Sequence, residues 1–433
     1  MKVPKAKMRL IELGLLLAYR ALLDVVYVLF VNPWYEYAGF ILRPNSLKLV
    51  ESYFFLVLLL FLLPSGERKP SSAGMKYLFI LTIAPLLSLY ALKDEPRVFM
   101  YLALSGFCLT LSVVRLLPGI RIKKIEKSTP VLFICLGVFS FVVYAAFIGI
   151  NGLPTLRALR LSLVYEVRGT VNYGHRIMGY VVPWQAKVVN PFLIILTYHK
   201  RKYLSLLMVL GLQLLLFLMT GAKSYLFSPL LCLFLVYAIE RQRMFRLSLM
   251  GATAAILLSF VAYMASGPMI IPSMFIRRVF FVPAAISFEY YDFFSENELM
   301  HLSESRLGKP FFENPYESYN MSSANMMGMI YGGNPQTHKN TGYISSAYMN
   351  FGALGVWLFS LMLAIILSIS DSVAKNTNKV VATAAIVLSV RTLVDGGLFT
   401  TMLTHGFLAT IFVVWLYKDR SRRIGLMRIR QVK

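Results

Sequence analysis

Apolar windows of about 18 residues or more recur along the chain, each long enough to cross a hydrocarbon core roughly 30 Å thick. Candidate spans fall at 10–31, 47–64, 75–92, 98–117, 129–149, 181–199, 203–220, 224–240, 246–266, 341–370, 379–397 and 398–417. No water satisfies a lipid-exposed backbone inside a bilayer, so each crossing must be a helix or part of a closed barrel. The alternating ten-residue segments of a barrel are absent. The expected fold is therefore an all-α polytopic membrane protein with about twelve transmembrane helices, forming a single integral membrane domain over 1–433. Composition agrees: 15% of residues are charged, against roughly 25% in soluble domains.

The net charge of +24 has a topological reading. Lysine and arginine accumulate in links that stay in the cytoplasm. With the N-terminus inside, that set holds Lys2, Lys5, Lys7 and Arg9; Arg68, Lys69 and Lys76; and Arg115, Arg121, Lys123, Lys124 and Lys127. It continues with Lys200, Arg201 and Lys202; Arg241, Arg243 and Arg246; Lys375 and Lys379; and the tail from Lys418. Both termini are expected in the cytoplasm. Met1–Arg9 lacks a small-residue cleavage site and leads into a full-length span, as an uncleaved first helix does. No domain remains to carry nucleic-acid binding. Cys108, Cys135 and Cys232 lie in apolar segments, which reads as core cysteine and not as a metal or disulfide set.

Two links on the opposite side are long. One, 150–180, carries Arg157, Arg160, Glu166, Arg168, His175 and Arg176. The other, 267–340, is the longest hydrophilic run, with Arg277 and Arg278 at its start and Glu289, Asp292 and His338 beyond. Loops of this length are uncommon unless they are functional. Their phenylalanines predict short amphipathic helices at the membrane face. Arginine on the side that topology disfavours is suited to gripping phosphate oxygens bidentately. Lys223, in the tight link Thr220–Ser224, stands at a helix start, where anions are favoured.

Within the spans, Arg20 and Asp24 are spaced i,i+4, as are Arg391 and Asp395. That spacing places each pair on one helix face. Self-neutralisation of a buried charge is the first reading of both; for Arg391 a substrate contact is the second. Lys187 and His405 read as structural.

There is no G-x-S-x-G, H-E-x-x-H or Walker motif. What is left is an arginine-rich, acid-containing face beside a membrane. It suits a substrate with a lipid tail, a phosphate or pyrophosphate, and a polar head. Glycosyl transfer from a pyrophosphate needs cations to stabilise the leaving phosphate, a role that fits Arg168, Arg277 and Arg278. It also needs a base for the attacking hydroxyl; Glu166, His175, Glu289, Asp292 and His338 are all candidates.

Four stretches give the chain a likeness to a known family. Arg168 and Gly179 enclose ten residues; Thr220-Gly-Ala-Lys223-Ser joins two spans ahead of Arg241-Gln-Arg; Phe275-Ile-Arg277-Arg278 opens the large loop, with Pro283 following; and Asn340-Thr-Gly-Tyr-Ile-Ser-Ser-Ala-Tyr348-Met-Asn-Phe-Gly352-Ala-Leu-Gly355 closes it. In these the chain resembles the Wzy-type O-antigen polymerases. It departs from them in the large loop: the positions eleven residues beyond Arg277, Arg278 and Arg306 are Phe288, Glu289 and Glu317, not glycine. The resemblance implies a glycosyltransferase of the bacterial cytoplasmic membrane with a periplasmic or extracellular active face. It would transfer the growing glycan from undecaprenyl pyrophosphate to an incoming lipid-linked oligosaccharide repeat unit. On this expectation Arg277, Arg278, Arg168, Glu166 and His338 are catalytic, and Arg157, Arg160, Arg176, Lys223, Glu289, Asp292 and Arg391 bind substrate. No metal, nucleotide sugar or other cofactor is expected; a chain-length regulator is the expected partner. An O-antigen ligase and a flippase for the same lipid-linked unit are the alternatives. A transporter would show broken helices and polar groups at mid-membrane.

Overall fold

The computed structural model describes residues 5–418 except 121, 124, 126–127, 161–162, 268–269 and 306–307. The basic residues Lys2, Arg121, Lys124, Lys127 and Arg306, and the tail from 419 to 433, lie outside the described residues. Every regular element among those described is a helix, and ten helices are long and apolar enough to cross a membrane. The chain is thus a multi-pass membrane protein.

The main helices are α1 Lys5–Val26, α2 Ser46–Leu62, α3 Pro70–Leu92, α4 Arg97–Leu116 and α5 Ser128–Asn151. They continue with α6 Val164–Thr170, α7 Met178–Trp184, α8 Asn190–His199, α9 Tyr203–Thr220, α10 Lys223–Glu240 and α11 Met244–Ser266. The last are α12 Ile270–Glu296, α13 Ser323–Gly332, α14 Tyr343–Lys375, α15 Lys379–Arg391, α16 Leu398–Met402 and α17 Phe407–Leu416.

The expected spans form in different ways. That at 47–64 is one unbroken helix of 17 residues, α2. That at 181–199 is continuous helix, α7 running into α8 through the π-helical Gln185–Val189. That at 398–417 is divided into α16 and α17. That at 379–397 stops as a helix at Arg391 and gives way to a 3-10 turn, Thr392–Val394. Hydropathy windows see apolar length and not the turns that break it.

The largest correction falls on 267–340. Its first third is no hydrophilic loop with short helices: Ile270–Glu296 is one helix of 27 residues, apolar enough to span. Yet both of its ends lie at one face of the bundle. Arg277, near the start, has its guanidinium 4.0 Å above the Tyr35 ring, in the link after α1. Tyr291, near the end, stacks on Phe99 at the start of α4, with ring centroids 5.0 Å apart. Between them Phe280 and Phe281 reach down to Tyr19 of α1 and to Tyr27 in the π-helical turn that follows it. The helix therefore dips into the bundle and returns. The π-helical Ser273–Phe281 and Pro283 are features that permit such a bend.

The two faces of the bundle are built differently. On the basic face the links are short and hydrogen-bonded. Glu67 accepts from the amides of Met244 and Phe245 at 2.5 and 3.0 Å. Asp371 accepts from Ser71, and Asn378 meets the His199 ring at 2.9 Å. On the loop face, 152–177 and 297–342 fold into small structures with their own apolar centres. Ala158 and Val164 pack with Phe147, Leu216 and Phe217 under the first. Met300, Met326, Met327 and Met349 pack with Tyr290 and Phe294 under the second. Between the faces α15 is the innermost helix, buried on every side from Val381 to Val390.

Candidate functional site

The first long loop is closed by an asparagine pair. The Asn151 side-chain amide donates to the Asn172 carbonyl at 2.8 Å, and the Asn172 amide returns the bond at 2.9 Å. The closed loop carries α6 onto the α9–α10 link. Gly221 makes this possible: its φ is +61°, and a Cβ there would stand 2.7 Å from the Val164 carbonyl oxygen. Arg168 on α6 thus lies against the link that ends in Lys223. Glu166 and Arg157 line a half-open pocket of about 460 Å³ with Asn151, Thr170 and Asn172. Arg157, Arg160, Arg168 and Arg176 are all exposed, as is His175.

The double arginine sits in the π-helical part of α12, which aims consecutive side chains differently from an α-helix. Arg277 is half-buried: it covers Tyr35 and donates to Ser273 Oγ from Nε and Nη2 at 3.3 and 3.2 Å. Arg278 is exposed. Phe275, beside them, meets Phe227 of α10 with ring centroids 6.2 Å apart. Phe227 is one turn beyond Lys223, so the double arginine, Lys223 and Arg168 share one sector of the loop face.

The expected acids are elsewhere on it. Glu289 and Asp292 lie on the far limb of α12. Lys339 Nζ donates to both oxygens of Glu289, at 2.7 and 2.8 Å. Asp292 accepts from the Tyr331 hydroxyl at 2.6 Å. Lys93 pairs with Glu95 at 2.7 Å in the neighbouring link. Burial pushes the Glu95 carboxyl up and Lys93 pulls it back, while Asp292 and Glu289 raise it further. His338 is exposed beside Lys339. Arg277 is held by Tyr35 and Ser273, whereas Glu289 and Asp292 are held by Lys339 and Tyr331, so the two limbs of α12 engage different partners. Of the candidate acids, Glu166 belongs to the loop that reaches the Lys223 link.

Sequence reasoning missed Lys339, Tyr331, Lys93 and Glu95. Each is an ordinary loop residue by composition, and Glu289 and Lys339 are too far apart in the chain for any local pattern to pair them.

The third place is inside the bundle. Arg391 and Asp395 form an ion pair at 3.6 Å whose side chains are 37% and 48% exposed. Close by, Lys187 Nζ lies 2.8 Å from His405 Nδ1, and the Trp184 indole donates to the Leu403 carbonyl at 2.7 Å. The break between α16 and α17 creates this contact: Gly406, with φ +76°, packs its backbone onto Val188 and Trp184. Lys187 and His405, read singly from the sequence as structural, are thus a pair. Among the described residues no group of three or more His, Cys, Asp or Glu is placed to hold a metal.

No protein-family model matches the chain, and neither a curated protein nor a solved structure is found to be similar to it.

Proposed function

We propose that this protein is a membrane glycosyltransferase acting on lipid-pyrophosphate-linked glycans, of the O-antigen polymerase type. The observation that carries the reading is a pair of contacts at the α9–α10 link: α6, with Arg168, rests on Gly221, and Phe275, beside the double arginine, meets Phe227 one turn beyond Lys223, while Glu166 and Arg157 line a half-open pocket in the same loop. Cations placed where negative charge develops stabilise a departing pyrophosphate. A carboxylate in a half-open pocket can accept a proton from a sugar hydroxyl. In this reading the loop face is periplasmic or extracellular, Arg278 and Arg168 meet the pyrophosphate, and Glu166 is the base. Arg277, held by Tyr35 and Ser273, fixes the direction of Arg278. Glu289 and Asp292, engaged by Lys339 and Tyr331, shape the acceptor side of the face, with His338 at its rim.

The test is complementation of a strain lacking the gene with Arg278→Ala, Glu166→Gln and the unchanged chain, followed by separation of the surface glycans by length. Long ladders should collapse to single repeats in both variants at normal protein levels in the membrane. Normal ladders in both would overturn the assignment. Glycan that never reaches its final acceptor would indicate ligation instead.

A second reading, a flippase for the same lipid-linked unit, is favoured by one observation. The chain has broken helices and a polar cluster within the bundle, as transporters do. Purified protein in vesicles loaded with a lipid-linked repeat unit separates the two: a transferase lengthens the glycan, whereas a flippase moves it across unchanged.

A further inference from the structure

Arg391 ends a helix that is enclosed over most of its length. Every residue from Val381 to Val390 is buried, and so are Thr392, Leu393, Val394 and Leu398. Arg391 and Asp395 are nonetheless 37% and 48% exposed. A lipid-facing stripe would continue along the helix to the positions three and four residues away, and Val387, Leu388 and Leu398 are buried. The two side chains are therefore open in a recess at the α15–α16 turn, which packs against Gly342 and Ser346 at the start of α14. Counting from Lys379 and from His199, both at the basic face, Arg391 and Lys187 each stand roughly 18 Å up at 1.5 Å per residue. They share one level near the middle of the bundle.

The recess is also unbalanced in charge. The charged groups acting on Lys187 are Asp395 and Arg391, and those acting on His405 are Lys187 and Arg391. One carboxylate faces a guanidinium, an amine and an imidazole. Lys187 is turned toward His405 Nδ1 and not toward an acid. Gly396 brings the chain against the other ring nitrogen: a Cβ at that position would stand 3.3 Å from His405 Nε2. Unbalanced positive charge inside a membrane protein marks a substrate or ion pathway.

We propose that Arg391, Lys187 and His405 form an internal binding site for a phosphate or pyrophosphate anion. Arg391 supplies the planar fork that matches phosphate oxygens, and Lys187 a point charge. Arg391 and Lys187 against Asp395 leave one positive charge, beside a His405 imidazole whose Nδ1 accepts from Lys187. A phosphate group offers negative charge to balance that set and two oxygens to match the Arg391 fork. The identification of the ligand as lipid-linked rests on the proposed function, while the anion site itself does not.

The experiment uses the full chain in discs of zwitterionic lipid, titrated with inorganic pyrophosphate and, separately, with farnesyl pyrophosphate. Fluorescence of Trp184, which sits at the α16–α17 break, reports binding. Saturable binding is expected, weakened at least about tenfold by Arg391→Ala and by Lys187→Met, and tightened by Asp395→Asn. Opposite signs for Arg391 and Asp395 are what an anion site requires, whereas a purely structural pair loses in both. Arg391→Lys, which keeps the charge and loses the fork, should fall between, and it serves if Arg391→Ala does not fold. No saturable binding of either probe, or affinities unmoved by Arg391→Ala and Lys187→Met, would overturn the site. Tighter binding of farnesyl pyrophosphate assigns a lipid-linked ligand, and equal binding a free anion; the site stands in both cases. No glycan acceptor is present, so lost binding refutes the site, and normal binding together with normal ladders in Arg278→Ala and Glu166→Gln refutes the transferase.

Discussion

Arg20–Asp24 and Arg391–Asp395 are the same motif in sequence, an arginine and an aspartate four residues apart on an apolar helix, and the structure uses them oppositely. Arg20 is fully buried and bonded to Asp24, and it donates to Ser52 and to the Leu87 carbonyl at 3.1 Å each. The Tyr53 ring lies 4.8 Å from its guanidinium. Asp24 in turn accepts from Tyr53 and Ser88 at 2.9 and 2.5 Å. This pair is enclosed by partners from α2 and α3 and fastens three helices together. Arg391 and Asp395 are a looser pair, open to a recess and short of negative charge. A buried charge enclosed with its counter-ion is structural; one left open and uncompensated is available to a ligand.

That contrast can be broken by substitution. Arg20→Ala leaves Asp24 inside the bundle without its counter-charge, which costs about 3–5 kcal/mol. The variant should lose its cooperative thermal unfolding in detergent, whereas Arg391→Ala should unfold within a few degrees of the unchanged protein. Equal losses would erase the distinction. The Glu289–Lys339 pair is intermediate, with side chains only 14% and 13% exposed at the loop face. A double-mutant cycle with Glu289→Gln and Lys339→Met should give a coupling of about 1–3 kcal/mol. A value near zero would place the pair with the open one.

The smallest effect concerns Glu95. Its carboxyl is raised by burial above the ordinary 4.5, against the pull of Lys93. A carboxyl raised in the folded state ionises at a cost to folding. The stability it lends is complete below the ordinary value and is lost as pH rises through the raised one. Unfolding temperatures should therefore decline over that interval, and Glu95→Gln should flatten the decline. An unaltered profile would show that Lys93 compensates fully.

Much of this was legible in the sequence because the membrane leaves few options. Apolar length announced the helices, and the basic short links and long opposite links foreshadowed the two faces. Two features escaped for the same reason. Ile270–Glu296 carries spanning length and composition, but charge at Arg277, Arg278, Glu289 and Asp292 made it read as loop. Its actual course is set by contacts with Tyr35, Tyr19, Tyr27 and Phe99 on distant helices. The 3-10 turn Thr392–Val394 reads as part of one continuous span, because hydropathy does not register backbone geometry.

The candidate residues divide likewise. The sequence by itself determined that the arginines of 150–180 belong to a long link, whereas Arg277 and Arg278, read as link residues, stand on a helix apolar enough to span. Only the tertiary structure decided which of them meet: Arg168 lies against the Lys223 link because Gly221 lets α6 rest there, while Glu289 is claimed by Lys339 fifty residues on. The same holds for the two Arg–Asp pairs. Spacing on a helix fixes which side chains share a face. What that face meets is fixed by the packing of other helices, and that packing decides whether a buried charge is enclosed or open.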